Sequence, residues 1–388
     1  MTVLIQDGRA GGHFKWLDEV LTAGLADGAI ISPFRTPYAT QKRNPSGSEL
    51  AELVQGHNGE VLFDATTHAL TLPSVTPGNH YGSWSLWGGT VGDLSTAAST
   101  ADHVERVFDV QSGLGTPLLV PTVSLESPLV TPALRSARAL ARAGKDAAAA
   151  RKQPAWQSIA GTHSFWEAGA DLDAYVGELV QLRAPVWVVT FIRDRDSMPP
   201  DTSNPTAQAG FLRTIHSLSE RARVITAHSD LFGLPAVAAG SDTIGTGWHG
   251  AQRVFAADSY RPRSGGTNIR WTTYPVLMGR LSPDTSASLA RADPALANRL
   301  RGGHPLPVDD EASRRVHLQT VRDHLNSIAQ FGSRADRVQQ ARRMYDAAQL
   351  GWALAAHAVP GTITPSDAAQ WAGNPRAGLE LYAHAEGL

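Results

Sequence analysis

The chain of 388 residues contains no cysteine. This absence excludes disulfide bonds, thiolate zinc sites and cysteine nucleophiles. Lysine is also scarce, since Lys15, Lys42, Lys145 and Lys152 are the only four lysines among 34 basic residues. All four fall in predicted helices or loops. A Schiff-base enzyme is therefore not expected, because its lysine should project from a strand.

Long apolar runs are missing as well. No segment reaches the roughly eighteen consecutive apolar residues of a membrane helix, and the opening T-V-L-I-Q-D predicts a strand in place of a leader peptide. We therefore expect a cytoplasmic protein without a membrane partner. The formal net charge of −2 provides no broad positive field, so a nucleic-acid partner has no support from charge.

Several catalytic motifs do not occur. The chain has no G-x-S-x-G, and no lysine follows a glycine-rich loop, so serine-hydrolase and Walker-type chemistry lack support. The patterns H-x-H and H-E-x-x-H and the EF-hand loop are absent too. Function must therefore be inferred from the fold and from polar residues at defined places in it.

Apolar strand patterns alternate with amphipathic helix patterns along the chain. Strands are predicted at 3–7, 29–34, 60–65, 117–125, 186–192, 224–227 and 242–244, with an eighth candidate at 269–277 that Pro275 weakens. Residues 130–182 predict a helical stretch with a break near Pro154. Eight strands with intervening helices predict an α/β fold of the (β/α)₈ TIM type, and a doubly wound open sheet is the alternative.

Two amphipathic stripes follow the last predicted strand. The first consists of Leu318, Val321, Leu325 and Ile328, and the second of Val338, Ala341, Tyr345, Ala348 and Trp352. We expect a barrel over residues 1–280 and a helical extension over 281–388. The two helices would either close the barrel or join a second subunit in a homo-oligomer.

In a TIM-type barrel the site lies at the C-terminal ends of the strands. Polar residues after the predicted ends are therefore candidates for the site: Asp7, Arg9, His13, Arg35, Asp64, His68, Ser124, Glu126, Arg193, Asp194, His228, Asp230, Thr246 and His249. The alternative for each aspartate is that it simply caps the next helix.

Asp7 and Asp64 are the predicted catalytic pair, assisted by His228. Both aspartates end apolar runs, so desolvation is expected to raise the pKa of one carboxyl while the other stays ionised. Such a pair suits glycosyl transfer or hydrolysis of a polar sugar-, nucleoside- or phosphate-bearing ligand.

A metal site is an alternative use of the same residues. His13, His228, Asp7 and Asp230 offer the nitrogen and oxygen ligands that a divalent metal takes, although helix capping is the favoured interpretation of Asp230. A flavin is a further alternative, because late glycine turns in barrels also hold flavin phosphates. The cofactor is undetermined at this point.

A glycine-rich stretch, G-T-G-W-H-G, spans residues 245–250. A dinucleotide fingerprint of this form belongs in an opening βαβ unit, not late in the chain. We therefore expect the amides of Gly245, Thr246 and Gly247 to bind an anion, with a plain tight turn as the alternative. Arg261 and Arg263 are candidates to clamp an anion, and the alternative is that both are simply solvated.

An aromatic insertion at about 67–95 interrupts the alternation. Its Trp84 and Trp87 predict a lid that stacks on a sugar or nucleobase. The alternative is a contact surface for another chain, which would make the protein a non-catalytic binding barrel.

The late part of the chain resembles tRNA-guanine transglycosylases. The similarity lies in A-A-G-S-D-T-I at 238–244, in the loop Y-R-P-R-S-G-G at 260–266 and in two long helices around 317–352. The family's nucleophilic aspartate falls at Gly245 here, and its zinc cysteines have no counterpart. The resemblance implies a barrel that binds a nucleobase-like or sugar-like ligand, with Asp7 or Asp64 as the acting carboxylate.

Overall fold

Strands and helices alternate in the computed structural model, which describes residues 1–8, 12–41, 44–261 and 271–388. The strands are β1 (Thr2–Gln6), β2 (Gly28–Ile31), β3 (Glu60–Phe63), β4 (Leu118–Leu119), β5 (Ser124–Leu125), β6 (Ala155–Gly161), β7 (Val186–Arg193), β8 (Arg223–Ala227), β9 (Thr243–Gly247), β10 (Phe255–Ala256), β11 (Thr272–Tyr274) and β12 (Gly279–Leu281). The helices are α1 (His13–Thr22), α2 (Gly47–Gly56), α3 (Thr67–Leu70), α4 (Asn79–Gly82), α5 (Ala97–Gly113), α6 (Pro132–Ala150), α7 (His163–Trp166), α8 (Ala170–Val180), α9 (Pro205–Ser219), α10 (Leu234–Ala239), α11 (Gly250–Arg253), α12 (Pro283–Ala292), α13 (Pro294–Leu300), α14 (Asp310–Ala329), α15 (Arg334–Ala358), α16 (Pro365–Ala368) and α17 (Asn374–Glu386).

Eight parallel strands form a sheet that is nearly closed into a TIM-type barrel. The strand order is β3-β2-β1-β9-β8-β7-β6-β4, and β5 continues beside β6 after β4 ends. A cluster of apolar side chains fills the barrel interior: Leu4, Ile30, Leu62, Leu119, Val186, Val188, Ile225 and Ala227. The predicted TIM-type barrel is confirmed, and the open-sheet alternative is wrong.

The barrel closes between β3 and β4 through one side chain in place of a backbone ladder. Gln111 of α5 is fully buried. Its Nε2 donates to the carbonyls of Phe63 (3.0 Å) and Leu119 (2.9 Å), and its Oε1 accepts from the Leu119 amide (3.0 Å). Each buried backbone group left without a partner costs about 1–3 kcal/mol. A single amide side chain therefore satisfies both strand edges at this seam.

One helix prediction and one strand prediction are wrong. The stretch predicted as helix contains the barrel strand β6, whose polar Gln157 and Ser158 interrupt the apolar pattern directly after the alanine-rich α6. The candidate at 269–277 is not a barrel strand, because β11 pairs antiparallel with β12 in a separate hairpin. The predicted strand 117–125 is divided into β4 and β5 around Pro121, which has no amide hydrogen to donate to a ladder.

Side-chain caps set the beginning of most of the long helices. Thr131 accepts from the Leu134 amide (3.1 Å) at α6, and Asp309 accepts from the Ala312 amide (2.7 Å) at α14. These bonds satisfy amides that have no partner within the helix. Helix α1 is different, because its cap is Gly12 and no side chain caps it.

The C-terminal helices pack on the outside of the barrel. Helices α14 and α15 lie against α10, and α17 lies against α9. All residues of the two predicted apolar stripes are buried within the chain. These stripes therefore close against the barrel, and a homo-oligomer stays a prediction. Within the described residues, no helix has the length and apolar character needed to cross a bilayer.

Candidate functional site at the barrel mouth

The C-terminal ends of the barrel strands form one rim, which we call the mouth. Asp7 follows β1, Asp64 lies directly after β3, and His228 lies directly after β8. Hydrogen bonds connect the two aspartates: the Ser32 amide donates to Asp7 Oδ2 (3.3 Å), the Ser32 and Thr66 hydroxyls are 3.0 Å apart, and the Thr66 amide donates to Asp64 Oδ1 (2.7 Å). The structure thus places the three predicted catalytic residues on the same edge of the sheet.

Asp7 is a buried carboxyl with one unused oxygen. Its Oδ2 accepts from the Thr36 hydroxyl and the Ser32 amide, whereas its Oδ1 has no hydrogen-bond partner in the part of the chain that the structure describes. Burial raises the pKa of Asp7 to about 6, although these bonds and the positive charge of Arg35 act in the opposite direction. The carboxyl can therefore bind or release a proton near neutral pH.

Arg35 supplies positive charge to the mouth. Its Nη2 donates to the Ser259 carbonyl (2.6 Å), and its guanidinium carbon lies 5.2 Å from the Tyr260 ring centroid. Burial is the largest influence on the pKa values of Asp7, His228 and His249, which follow three different strands. The charge of Arg35 acts on all three in the lowering direction, so it opposes burial at Asp7 and adds to it at the two histidines. Arg35 therefore lies where it can attract an anionic group of a ligand.

Two neutral histidines lie on either side of Phe255. The ring centroid of Phe255 is 4.5 Å from that of His68 and 5.2 Å from that of His228. Burial lowers the pKa of both imidazoles, that of His228 to about 3. His228 Nδ1 is 3.0 Å from the Gln252 carbonyl oxygen and must donate to it, which leaves Nε2 as an acceptor. His68 Nε2 is buried without a partner.

A short segment closes the mouth from above. Strand β10 pairs with Ile192 and Arg193 at the end of β7, and Phe255 is completely buried there. The Phe255 ring contacts Tyr260 (4.9 Å), and Tyr260 contacts Phe34 (5.0 Å). The mouth therefore has an aromatic cover, and burial raises the pKa of Tyr260 above its usual range. Phe255 and Tyr260 are not among the site residues predicted from the sequence, because neither is a polar residue at a predicted strand end.

Asp230 is part of an internal pair, which corrects the interpretation of this residue as a helix cap. Its Oδ1 accepts from His317 Nε2 (2.8 Å) and from the Thr246 hydroxyl, and His317 Nδ1 is 3.0 Å from the Thr273 hydroxyl. Its side chain makes no capping bond in the 3₁₀ turn that it begins. Burial acts to raise the pKa of Asp230, but His317, Arg253 and Thr246 lower it below its usual range. The polar groups of Asp230 and Thr246 thus bind within the protein, and substrate binding by these two residues stays a prediction.

The glycine-rich stretch is also placed differently from the prediction. Gly245, Thr246 and Gly247 are the end of β9, in register with Leu4, Ile5 and Gln6 of β1, and do not form a turn around an anion. A Cβ atom on Gly245 would lie 2.8 Å from Gln6 Nε2, and one on Gly247 would lie 2.4 Å from the Cβ of Gln252. The glycines are therefore needed for close packing within the mouth.

The aromatic insertion packs against the core in place of forming the predicted lid, and a contact surface for another chain stays a prediction. Trp84 is 3% exposed, contacts Phe63 (4.8 Å) and donates from Nε1 to the Thr36 carbonyl (2.8 Å). Trp87 stacks on His103 at 3.7 Å and donates to the Tyr81 hydroxyl (3.1 Å). A loop held by these contacts is a structural support of β3 and α5.

The other candidates have varied surroundings. Arg193 donates to the Asp201 carbonyl and lies 4.7 Å from the Phe191 ring centroid, and Asp194 is exposed. Arg261 donates to the Pro73 carbonyl (2.8 Å) and pairs with Asp258. Of the remaining candidates, Ser124 is buried, Glu126 is exposed, and His249 is half-buried at the start of α11. Arg9 and Arg263 lie outside the described residues.

Among the residues that the structure describes, no group of three or more histidine, aspartate and glutamate side chains could hold a metal ion. Of the four metal ligands considered from the sequence, Asp230 is bound to His317. A comparison of the chain with models of known protein families found no match. A comparison with curated protein sequences found none either.

Proposed function

We propose that the protein is a barrel enzyme that acts on a polar sugar-, nucleoside- or phosphate-bearing ligand by glycosyl transfer or hydrolysis. The observation that carries the proposal is the state of Asp7: a buried carboxyl at the mouth, with one unpartnered oxygen and a pKa near 6. A general acid or base is most effective when its pKa is close to the working pH.

The two aspartates would divide the reaction between them. Asp7 would donate a proton to the leaving oxygen or nitrogen as the glycosidic bond breaks. Asp64, half-buried and held by the Thr66 amide, would supply the second carboxylate, which attacks the sugar carbon or activates water. Two carboxyls in different surroundings are what this chemistry requires.

Neutral and cationic groups at the mouth would position the ligand. His68 Nε2 and Gln6 Nε2 are buried without partners, and neutral imidazole and amide groups suit hydroxyl and nucleobase edges. Arg35 would attract a negative group. This ligand class is also the one that the resemblance to tRNA-guanine transglycosylases implies.

One observation favours a second candidate function, a barrel that binds its ligand without turnover. The fully buried Phe255 ring lies between His68 and His228, so a ligand reaching both imidazoles must displace that ring. Binding without chemistry would need the displacement but not the proton transfer by Asp7.

The test combines ligand identification with one substitution. Native mass spectrometry of the purified protein would identify a bound compound, and turnover would be measured on it and on panels of nitrophenyl glycosides and nucleosides. We expect Asp7→Asn to reduce turnover by about 10²–10⁴-fold, and the limb of the pH-rate profile near pH 6 to disappear. Asp146→Asn, at an exposed position on helix α6 and outside the mouth, is the control. Turnover of Asp7→Asn at the wild-type rate would disprove the proposed role, and ligand binding without turnover would favour the second candidate.

A further inference from the structure

Three rings form a cluster beside the mouth, between α1 and the end of β9. His13 is the first residue of α1, Trp16 lies one turn later, and Trp248 directly follows β9. The ring centroids are 5.8 Å apart for His13 and Trp16, 6.0 Å for His13 and Trp248, and 5.1 Å for Trp16 and Trp248. Each ring therefore contacts the other two, and we call them the His-Trp cluster.

The polar atoms of this cluster are buried and have no partners. Within the described residues, both ring nitrogens of His13 and the Nε1 atoms of Trp16 and Trp248 make no hydrogen bond, and the three residues are only 3%, 3% and 9% exposed. Native proteins leave few buried polar atoms unsatisfied, and such atoms often mark the place of a bound water, ion or ligand. Four of them on three touching rings need a common explanation.

The chemistry of the cluster selects the kind of partner that is missing. An indole nitrogen is only a donor, and a neutral imidazole offers one donor and one acceptor. Burial, together with the nearby positive charge of Arg314 and an unfavourable interaction with the His249 ring, lowers the pKa of His13 to about 3, so the ring is neutral. The cluster therefore offers three N–H donors and one acceptor, and its donors need oxygen atoms.

The charge around the cluster is positive. The Arg314 guanidinium lies 3.6 Å from the Trp248 ring centroid. Burial lowers the pKa of the neighbouring His249, and Arg314, Arg253 and Arg35 lower it further, while Asp310 alone acts to raise it. Asp310 lies 3.9 Å from Arg314 and offsets part of this charge. The net field favours an anionic partner.

The beginning of α1 adds backbone donors at the same place. The helix has ten residues and no side-chain cap, so its first amides have no partner of that kind. Gly12 is exposed, has a φ of +89°, and a Cβ atom there would lie 3.8 Å from Trp248 Cη2. A helix N-terminus attracts anions, and here it opens to solvent next to the unpartnered indoles.

We infer that the His-Trp cluster and the first turn of α1 form an oxyanion subsite, which takes a phosphate or carboxylate group. The group accepts from the indoles of Trp16 and Trp248 and from His13, with Arg314 as the nearby charge. The assignment of this oxyanion to the substrate of the mouth rests on the proposed function. The subsite itself rests only on the donors and charges described above.

Calorimetric titration of the whole protein with inorganic phosphate, and separately with malonate, tests this inference at constant ionic strength in chloride. Trp16→Phe and Trp248→Phe each remove one N–H and keep an aromatic ring. We expect saturable binding of at least one anion by the wild type and affinity about tenfold lower in each variant. Trp187→Phe, a buried position near the start of β7, is the matched control and should bind as the wild type does.

Binding of phosphate alone would indicate a phosphate-bearing ligand, and binding of malonate alone a carboxylate-bearing one; both outcomes support the subsite. No binding of either anion by the wild type would overturn it, and so would equal weakening in Trp187→Phe. Circular dichroism and thermal melting would verify that each variant is folded. Since the titration measures no turnover, its failure is distinguishable from wild-type turnover in Asp7→Asn, which contradicts only the proposed enzyme.

Discussion

The two ends of the barrel treat their polar side chains in opposite ways. At the N-terminal end, Arg223 reaches across the interior and donates to both carboxylate oxygens of Glu60 (2.6 Å each), and its Nη2 also donates to the Thr243 hydroxyl (2.9 Å). The Thr243 hydroxyl is 2.6 Å from that of Thr2. At the mouth, by contrast, buried atoms of Gln6, Asp7 and His68 have no hydrogen-bond partners among the described residues.

This difference separates the part of the barrel that stabilises the fold from the part available for chemistry. Paired charges at the N-terminal end hydrogen-bond to one another, so they contribute to stability and are engaged within the protein. Unpartnered groups at the mouth lower stability, since each lost hydrogen bond costs about 1–3 kcal/mol. Catalytic and binding residues are therefore expected at the mouth, because the destabilising unpartnered groups lie there.

The largest effect is expected behind the mouth, where Asp230 and His317 are paired and almost completely buried. His317→Phe removes the Nε2 donor and leaves a buried carboxylate with Thr246 as its remaining hydrogen-bond partner. We expect a loss of about 3–5 kcal/mol in the free energy of unfolding, measured by urea denaturation. His57→Phe, which breaks a more exposed pair with Asp18, is the control and should cost much less. Similar losses in both variants would show that the internal pair has no special weight.

A smaller effect, with a defined pH dependence, is expected from Asp7. Its pKa of about 6 in the folded protein exceeds the ordinary 3.8, so the folded state binds more protons between these pH values. The contribution of this carboxyl to stability is therefore lost as the pH rises from about 4 to 6, by about 3 kcal/mol in all. Asp7→Asn should lack this loss.

The measurement for Asp7 is the free energy of unfolding of both proteins at pH 4 and pH 7.5. We expect the difference between Asp7→Asn and the wild type to move by about 3 kcal/mol in favour of the variant between these two pH values. A difference that does not change with pH would show that the carboxyl ionises normally in the folded protein, and would remove the basis of its proposed role.

The smallest effect is expected at the N-terminal end. Arg223 and Glu60 keep 31% and 24% of their side-chain surface exposed, so solvent weakens the pair. We expect Arg223→Met to cost about 2 kcal/mol, with unchanged turnover. A double-mutant cycle with Glu60→Gln would measure the coupling between the two residues. Reduced turnover in Arg223→Met would contradict the view that the N-terminal end of the barrel serves stability and only the mouth serves function.

The barrel itself could be predicted because most of its strands carry a local signal. Strands β1, β7 and β8 are apolar runs bounded by polar or turn residues, and the parallel sheet follows from their alternation with helices. Strand β6 could not be found in this way, since Gln157 and Ser158 resemble a surface pattern. Ser158 is explained only by a distant partner, the Val120 carbonyl to which its hydroxyl donates.

The residues of the candidate site also differ in whether the sequence alone could reveal them. Asp7, Asp64, Arg35 and His68 could be named from the sequence, because a position after a strand fixes the end of the barrel at which they lie. His317 could not be assigned to Asp230, since 87 residues separate them and their contact depends on how α14 packs. The polar atoms of Trp16 and Trp248 give no sequence signal, because only the packing shows that they lack partners.

Because Gln111 alone joins β3 to β4 among the described residues, we expect the barrel to open first at this junction. Seven of its eight strand junctions are backbone ladders, which must lose hydrogen bonds along a strand to separate, whereas the junction of β3 and β4 is released when the Gln111 side chain changes rotamer. Among the amides of the barrel strands, hydrogen exchange should therefore begin at Leu119, whose amide depends on Gln111 Oε1. Unzipping of the ring would then spread from this point in both directions around the sheet.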